Sequence, residues 1–268
     1  MGGPGRRPRP GLDGGIDWHI AALPSVPART PPAGTAGEHD GAACGSLPCR
    51  SPAALAGALR REFASRADPA RAAAMAAYMR GRFSFLGLPT PLRRRLAAPL
   101  VKAWAGPPLA AAQALWTEPE REFQYVACDL LHSHNRRLAV TDFAGILALA
   151  ADKSWWDTVD SLAKRVGDLA RRYPALIARL DRLIDDDNFW LRRVALLHQL
   201  GWKAATDEAR LFDYCRRRAG DPEFFLQKAI GWALRDYAWS APEAVRGFLA
   251  AEGERLSPLS RREAGKNL

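Results

Sequence analysis

The feature that most constrains the fold of this chain is a series of prolines at the breaks between apolar segments. Proline is tolerated in the first turn of an α-helix but disrupts a helix interior, so each of these dipeptides predicts a helix start. No segment alternates apolar and polar residues as a half-buried strand would. The sequence therefore predicts an all-α protein. The predicted starts are Ser51-Pro52, Asp68-Pro69, Thr90-Pro91, Glu118-Pro119, Tyr173-Pro174, Asp221-Pro222, Ala241-Pro242 and Ser257-Pro258.

A second pattern recurs at about 34 residues. A large apolar residue stands four positions before an alanine at Phe123, Leu191 and Phe225. The first two are 68 residues apart and the last two are 34 apart. A period of this length in an all-helical chain is typical of stacked helix pairs. Because the tryptophan-leucine-glycine signature of tetratricopeptide repeats is missing, we predict a solenoid of irregular, HEAT-like pairs.

The repeat places several chemically distinctive residues in equivalent positions. Trp156 and Trp190 each stand one position before a repeat start, and Asp160 and Arg193 fall on the same turn of their helices. A solenoid stacks equivalent helices side by side, so these groups should line one surface. We predict a concave wall that carries these four residues together with Trp232.

The wall residues combine aromatic faces with charges at helical spacing. Trp156 and Asp160 are four residues apart, which puts their Cβ atoms about 5–6 Å apart on a helix. An indole face beside a carboxylate attracts a cationic, electron-poor partner. Trp190 with Arg193 and Trp232 with Arg235 repeat the pairing of a tryptophan with a charge at a spacing of three.

The composition indicates an anionic partner without identifying it. The formal net charge is +10, and 48% of the residues are hydrophobic, enough for a large core. A basic protein of this kind binds nucleic acid or an anionic membrane surface, or it simply carries solvated arginine-rich helices. The sequence has no run of about 18 apolar residues, so we do not expect a membrane span.

Residues 1–50 differ from the rest of the chain. They are rich in Gly, Pro, Arg and Ala and show no hydrophobic period, so we interpret them as a flexible tail. An incorrectly assigned start codon would give the same composition. The chain has no signal-peptide h-region and no CxxC pair, and Cys128 and Cys215 lie in apolar helical patterns. We therefore expect a cytoplasmic protein with reduced thiols.

Five segments of the chain resemble one known family. The segments SWWDTVDS, DNFWLRRVA, FFLQKAIGWALRDYA, YMRGRFSFLGLPTPLRRR and LSPLSRREA are similar to motifs of the AlkD-type DNA alkylation repair glycosylases. That family is built from HEAT-like helical repeats. The resemblance covers residues 51–268, which we interpret as the glycosylase domain.

The resemblance implies an active site made of Trp156, Asp160, Arg193 and Trp232. Family members excise N3- and N7-alkylated purines, such as 3-methyladenine and 7-methylguanine, from duplex DNA. By resemblance, Asp160 would stabilise the charge that develops on the deoxyribose, and the two tryptophans would hold the sugar and the cationic base. Arg193 would hold the phosphate near the reacting centre. We expect Asp157 to cap or pair and Trp155 to pack between helices.

The resemblance and the net charge together predict that the concave face is basic and binds DNA. Thr90 and Pro91 begin a helix, where backbone amides and the helix dipole favour a phosphate. Family members grip the DNA backbone with the matching turn, although Pro89 here replaces a residue that can be polar in other members. The further candidate DNA contacts are Tyr78, Arg93, Arg94, Trp190, Lys228 and Arg235.

Two other functions stay open at the level of sequence. A non-catalytic HEAT-like scaffold that binds DNA or protein would share the fold, and Asp160 argues against it. A relative specialised for bulky or crosslinked adducts would share the site as well. His132, His134 and His198 lack companions at metal-ligand spacing, and no glycine-rich nucleotide motif occurs. We expect a monomer that needs no metal and no cofactor and that has no membrane partner.

Overall fold

The computed structural model describes residues 51–268, and the predicted tail at residues 1–50 lies outside the described residues. Residues 51–268 form thirteen α-helices and contain no β-strand, so the predicted all-α helical-repeat fold is confirmed. None of these helices is both long and apolar enough to cross a bilayer. The helices are α1 (Pro52–Ala64), α2 (Pro69–Tyr78), α3 (Thr90–Ala103), α4 (Pro108–Thr117), α5 (Arg121–Ser133), α6 (Asp142–Ala151), α7 (Trp156–Arg172), α8 (Ile177–Leu183), α9 (Phe189–Leu197), α10 (Glu208–Arg217), α11 (Phe224–Ala238), α12 (Pro242–Glu252) and α13 (Pro258–Ala264).

Most of the proline dipeptides begin helices as predicted. Ser51 and Asp68 accept hydrogen bonds from the first-turn amides of α1 and α2, and Pro52 and Pro69 follow them directly. Three predicted starts are displaced. The helices α5 and α11 begin two residues beyond Pro119 and Pro222, and Pro174 begins a 3-10 turn that precedes α8. Pro99 is an exception to the preference of proline for the first turn of a helix, since it lies inside α3.

The helices form two rows. In the first row, α3, α5, α7, α9, α11 and α13 contact one another in chain order. In the second row, α4, α6, α8, α10 and α12 each pack on a neighbouring helix of the first row. Each repeat thus contributes one helix to each row, and the core lies between the rows. Burial raises the pKa of the Cys128 thiol to about 12, which fits the predicted role of a small core residue.

Side-chain bonds between successive repeats show the predicted period directly. Because equivalent helices lie side by side, a residue in one repeat reaches a residue about 34 positions later. The separation in the chain is 33 residues for the pair of Asp160 and Arg193 and 36 for the pair of Arg121 and Asp157. The other pairs are Arg93 with Asp129, Asn135 with Asp168 and Lys228 with Glu263.

The turn before α3 is held by a buried carboxylate. Glu122 is fully buried and accepts hydrogen bonds from the backbone amides of Leu86, Gly87 and Leu88 at 2.9–3.1 Å. Gly87 has φ +87°, and a Cβ there would lie 2.1 Å from the carbonyl oxygen of Asp68. This anchor fixes the start of α3, which carries the predicted phosphate-binding turn.

Candidate active site

The centre of the site is a two-pronged ion pair between α7 and α9. The Arg193 Nε donates to Asp160 Oδ1 at 2.7 Å, and Nη2 donates to Oδ2 at 2.8 Å. The third guanidinium nitrogen, Nη1, donates to the carbonyl oxygen of Phe225 on α11. Asp160 is 2% exposed and Arg193 is 1% exposed. The pair therefore joins three successive helices of the first row.

Burial determines the electrostatics of this pair. Loss of water raises the pKa of the Asp160 carboxyl above its ordinary value, and the charge and hydrogen bonds of Arg193 oppose the shift. Arg193 accounts for two of the roughly four lone-pair sites of the carboxylate. Acceptor capacity for a substrate or a water molecule thus remains on a carboxylate that is held in a fixed orientation.

The two predicted stacking tryptophans belong to the same helices as this pair or to the next one. Trp156 is the first residue of α7, one helical turn before Asp160, and Trp232 belongs to α11. Both indoles are half-buried. The Arg193 guanidinium carbon lies 5.4 Å from the centroid of the Trp232 ring, so the structure places this indole directly beside the ion pair. Four residues that are distant in the chain, Trp156, Asp160, Arg193 and Trp232, therefore share one site.

Trp190 lies deeper than the other wall residues. It is 7% exposed and belongs to an aromatic cluster, with its ring centroid 5.8 Å from Trp155 and 4.9 Å from Phe225. Trp155 is 5% exposed and packs between helices as predicted. Trp190 supports the floor of the site, because its face is covered by other rings.

Asp157 anchors the first turn of α7. It accepts hydrogen bonds from Arg121 Nη2 at 2.6 Å and from the Tyr125 hydroxyl at 2.7 Å, so it pairs as predicted. Arg121 is fully buried and lies 3.8 Å from the centroid of the Phe83 ring. Sequence reasoning did not select Arg121 or Tyr125. The available signal was a cluster of charged and polar residues at the start of an otherwise apolar helix.

The predicted phosphate-binding turn is only partly available to a ligand. Thr90 begins α3 as predicted and is half-buried, while Pro91 and Arg94 are exposed. Arg93 is 4% exposed, donates to Asp129 at 3.2 Å and lies over the Tyr125 ring. The structure thus gives Arg93 a bond between helices, whereas Arg94 remains at the surface.

The other predicted DNA contacts also divide into an exposed residue and residues that are engaged in ion pairs. Tyr78 ends α2 and is 49% exposed. Lys228 and Arg235 both donate to Glu263 of α13, at 3.0 and 3.3 Å. Hydrogen bonds from Lys266 and Lys228 lower the pKa of Glu263 to about 2 despite its burial. Both predicted cations are therefore engaged in holding α13 against α11.

Residues 51–268 contain no group of three or more His, Cys, Asp or Glu side chains that could hold a metal ion. Burial lowers the pKa of His198 to about 4, and its Nδ1 lies 2.6 Å from the carbonyl oxygen of Ala195. His198 is thus a neutral core residue next to the Trp202 and Tyr214 rings. The structure assigns this histidine to packing.

Comparisons with known proteins identify the family of this chain. The family model described as DNA alkylation repair enzyme matches residues 59–268. A solved structure, titled a predicted DNA alkylation repair enzyme from Enterococcus faecalis, is 35% identical to this chain with a TM-score of 0.70. The match covers 75% of this chain and 96% of that one. A comparison with curated proteins found no match. With most of its length inside the family model, the chain belongs to the DNA alkylation repair enzyme family.

Proposed function

We propose that this protein is a DNA glycosylase that hydrolyses the N-glycosidic bond of cationic N3- and N7-alkylated purines in duplex DNA. The observation that carries the proposal is a single buried carboxylate, Asp160, oriented by Arg193, with the half-buried Trp156 one helical turn before it and the half-buried Trp232 beside the Arg193 guanidinium. Residues 51–268 form the glycosylase domain in this proposal. Membership of a DNA alkylation repair family supports DNA as the substrate.

One carboxylate is enough when the leaving group already carries a positive charge. Hydrolysis of a neutral glycoside ordinarily uses a pair of carboxyl groups, one of which protonates the leaving group. A 3-methyladenine or 7-methylguanine base departs as a neutral molecule without receiving a proton. Asp160 then stabilises the positive charge that develops on the deoxyribose and orients the attacking water.

The structure changes the part that we assign to Arg193. The family resemblance implies that its guanidinium holds a DNA phosphate. All three of its nitrogens donate to protein oxygens, on Asp160 and on Phe225. We therefore propose that Arg193 acts through Asp160, keeping the carboxylate ionised and oriented as a planar guanidinium can.

Trp156 and Trp232 supply the surface against which the lesion rests in this mechanism. A cationic base is attracted to the face of an indole, most strongly where water is excluded. Both side chains are half-buried, so each indole combines partial exposure with a position restricted by its neighbours. In this mechanism a nucleotide held by the two indoles brings its sugar to the carboxylate of Asp160, which is 2% exposed in the unbound protein.

The duplex would be held by exposed groups around the site. We propose that the face carrying Trp156 and Trp232 is concave and basic and binds the DNA backbone. Thr90 and Pro91 at the start of α3 and the exposed Arg94 and Tyr78 remain the predicted contacts. The formal net charge of +10 supports this assignment.

A second candidate function is a non-catalytic DNA- or protein-binding scaffold. The near-complete burial of Asp160 and Arg193 favours it, because an ion pair that is closed off from solvent can connect α7 to α9 without taking part in any reaction. The same geometry is therefore compatible with either function, and an assay of the reaction distinguishes them.

The test is release of 7-methylguanine from alkylated duplex DNA by the purified protein. We expect release from this substrate and from DNA containing 3-methyladenine, with little or none from DNA containing uracil or 1,N6-ethenoadenine. Those two bases need a proton to leave, and the Asp160 site has no acid placed to provide it. Efficient uracil release would contradict the charge-driven mechanism. Parallel assays with bulky N7 adducts show whether larger lesions are accepted.

A further inference from the structure

A basic cavity lies beyond the proposed active site, at the other end of the same helices. Its volume is about 730 Å³, and its walls come from the ends of α5 and α7 and from the turn after α9. The sequence motifs that identify the family do not include this cavity. Its lining contains five cationic side chains, Arg136, Arg137, Lys164, Arg165 and Arg171, together with His132, His134 and one acid, Asp168.

The single acid of the cavity is already neutralised. Asp168 Oδ2 accepts from Arg165 at 2.9 Å and from the Asn135 amide at 2.9 Å. Arg137 is likewise occupied, because it donates to the carbonyl oxygens of Trp104, Ala105 and Gly106. These three groups, Arg137, Arg165 and Asp168, build the walls of the cavity.

Three cations of the lining retain their charge for a ligand. Lys164 is half-buried and Arg136 and Arg171 are exposed, and none of the three forms an ion pair within residues 51–268. Arg171 lies 5.5 Å from the Trp202 ring centroid, which fixes its stem. Burial, followed by the charge of Arg165, lowers the pKa of Lys164. The one acid of the lining, Asp168, is paired with Arg165, so Arg136, Lys164 and Arg171 add positive charge that no ion pair within residues 51–268 balances.

The cavity is aligned with the proposed active site along α7. Lys164 and Arg171 follow Asp160 by four and eleven residues, which is one turn and three turns, so all three lie on one face. At 1.5 Å per residue they stand about 6 and about 16 Å further along the helix. Successive phosphates of one DNA strand are about 3.4 Å apart along the duplex axis. A duplex with its lesion at Asp160 therefore has phosphates within this distance.

We propose that this cavity binds a backbone phosphate of the DNA duplex flanking the lesion, with Arg136, Lys164 and Arg171 as the contacts. The inference rests on the proposed function for the position of the lesion. Phosphate binding in the cavity gives the duplex a second point of attachment, which prevents the duplex from rotating about the proposed active site. A free nucleotide or inorganic phosphate presents the same chemistry, so the experiment has to separate these sources.

The test is binding of an undamaged, fluorescently labelled duplex by the full chain at several salt concentrations. Each phosphate contact contributes about −0.9 to the slope of log K against log salt. The variant Arg136→Gln/Arg171→Gln should lose about two contacts, which reduces the slope by about 2 and weakens binding roughly ten- to hundredfold. The matched control is Arg179→Gln/Arg182→Gln on α8 of the second row, which removes the same charge. We expect the control to retain the parent slope.

Three results would overturn the inference. The first is an equal loss of affinity and slope in the cavity variant and the control. The second is tight binding of deoxyadenosine monophosphate or inorganic phosphate that the cavity variant loses while its DNA binding stays at the parent level. The third is a cavity variant that is folded, by its thermal unfolding, and keeps the parent slope. A parent protein that binds DNA with the expected slope but releases no 7-methylguanine contradicts the proposed glycosylase activity alone.

Discussion

Asp160 on α7 and Arg193 on α9 form a buried, two-pronged ion pair, although 33 residues separate them in the chain. The spacing of the repeat brings them to the same level of neighbouring helices. Because both side chains are almost fully buried, each fixes the orientation of the other, and Arg193 opposes the rise that burial causes in the pKa of Asp160. The proposed chemistry depends on this relationship, and most of the predictions below concern it.

The pH dependence of excision should reflect the environment of Asp160. The ionised carboxylate is the active form, and burial raises its pKa, so activity should fall in acid with a midpoint above the ordinary aspartate value of about 3.9. Arg193→Met removes the group that opposes the shift and should move the midpoint to still higher pH. The measurement is the single-turnover rate of 7-methylguanine release against pH, corrected for spontaneous depurination. A midpoint at the ordinary value, unchanged by Arg193→Met, would argue against this carboxylate.

The same substitution should have a pH-dependent effect on stability. Arg193→Met leaves the buried Asp160 carboxylate without its partner, which costs about 3–5 kcal/mol at neutral pH. A raised pKa in the folded state means that the cost is present above that pKa and is relieved as pH falls through it. Urea unfolding at neutral and acid pH measures both values. A loss of stability that is equal at the two pH values would show that packing, not charge, is responsible.

Trp232→Ala should reduce excision by roughly 10- to 30-fold, because an indole that holds a desolvated cation contributes up to about 2 kcal/mol. The matched control is Trp239→Ala, at the residue that directly follows the end of α11, where the indole is 76% exposed. We expect the control to retain the parent rate. Trp232→Phe should recover part of the activity since it restores an aromatic face. Equal losses of excision rate in the Trp232 and Trp239 variants would rule out a specific role for the Trp232 indole.

The hydrogen bonds that Asp157 accepts at the first turn of α7 should stabilise the folded protein. Tyr125→Phe removes the hydroxyl that donates to Asp157 at 2.7 Å, and a hydrogen bond to a charged group contributes about 1.5–3 kcal/mol. Tyr237→Phe removes a comparable bond to the exposed Glu208 and serves as the control, with a smaller expected loss. Chemical denaturation of both variants gives the comparison. Equal losses of unfolding free energy would mean that the Asp157 network adds nothing beyond an exposed hydrogen bond.

The repeat period and the meeting of Asp160 with Arg193 could be predicted from the sequence because both depend on spacing. Trp155 and Asp157 lie where a helical register places them, and the structure brings Asp160 and Arg193 together. The occupation of Arg93 and Arg193 by carboxylates could not be predicted. A basic residue on a helix face is exposed or buried according to what the next repeat presents to it.

The fully buried charges on α5 show the same limit. Arg121 and Glu122 begin a helix whose pattern gives no sign that they contact Asp157 and the backbone of residues 86–88. Their partners come from 34 to 36 residues away in either direction, on adjacent repeats. A single sequence contains the period but not the pairing of individual charges.

The central claim is that the Asp160 carboxylate performs the chemistry. Its most direct test is the single-turnover rate of 7-methylguanine release from alkylated duplex DNA by Asp160→Asn, compared with the parent protein at equal bound fraction. Asparagine keeps the shape of the side chain and one acceptor for Arg193 but removes the charge. We predict a rate lower by roughly 10²- to 10³-fold, as expected for the loss of one electrostatic stabiliser. Release by the folded variant at the parent rate would contradict the mechanism.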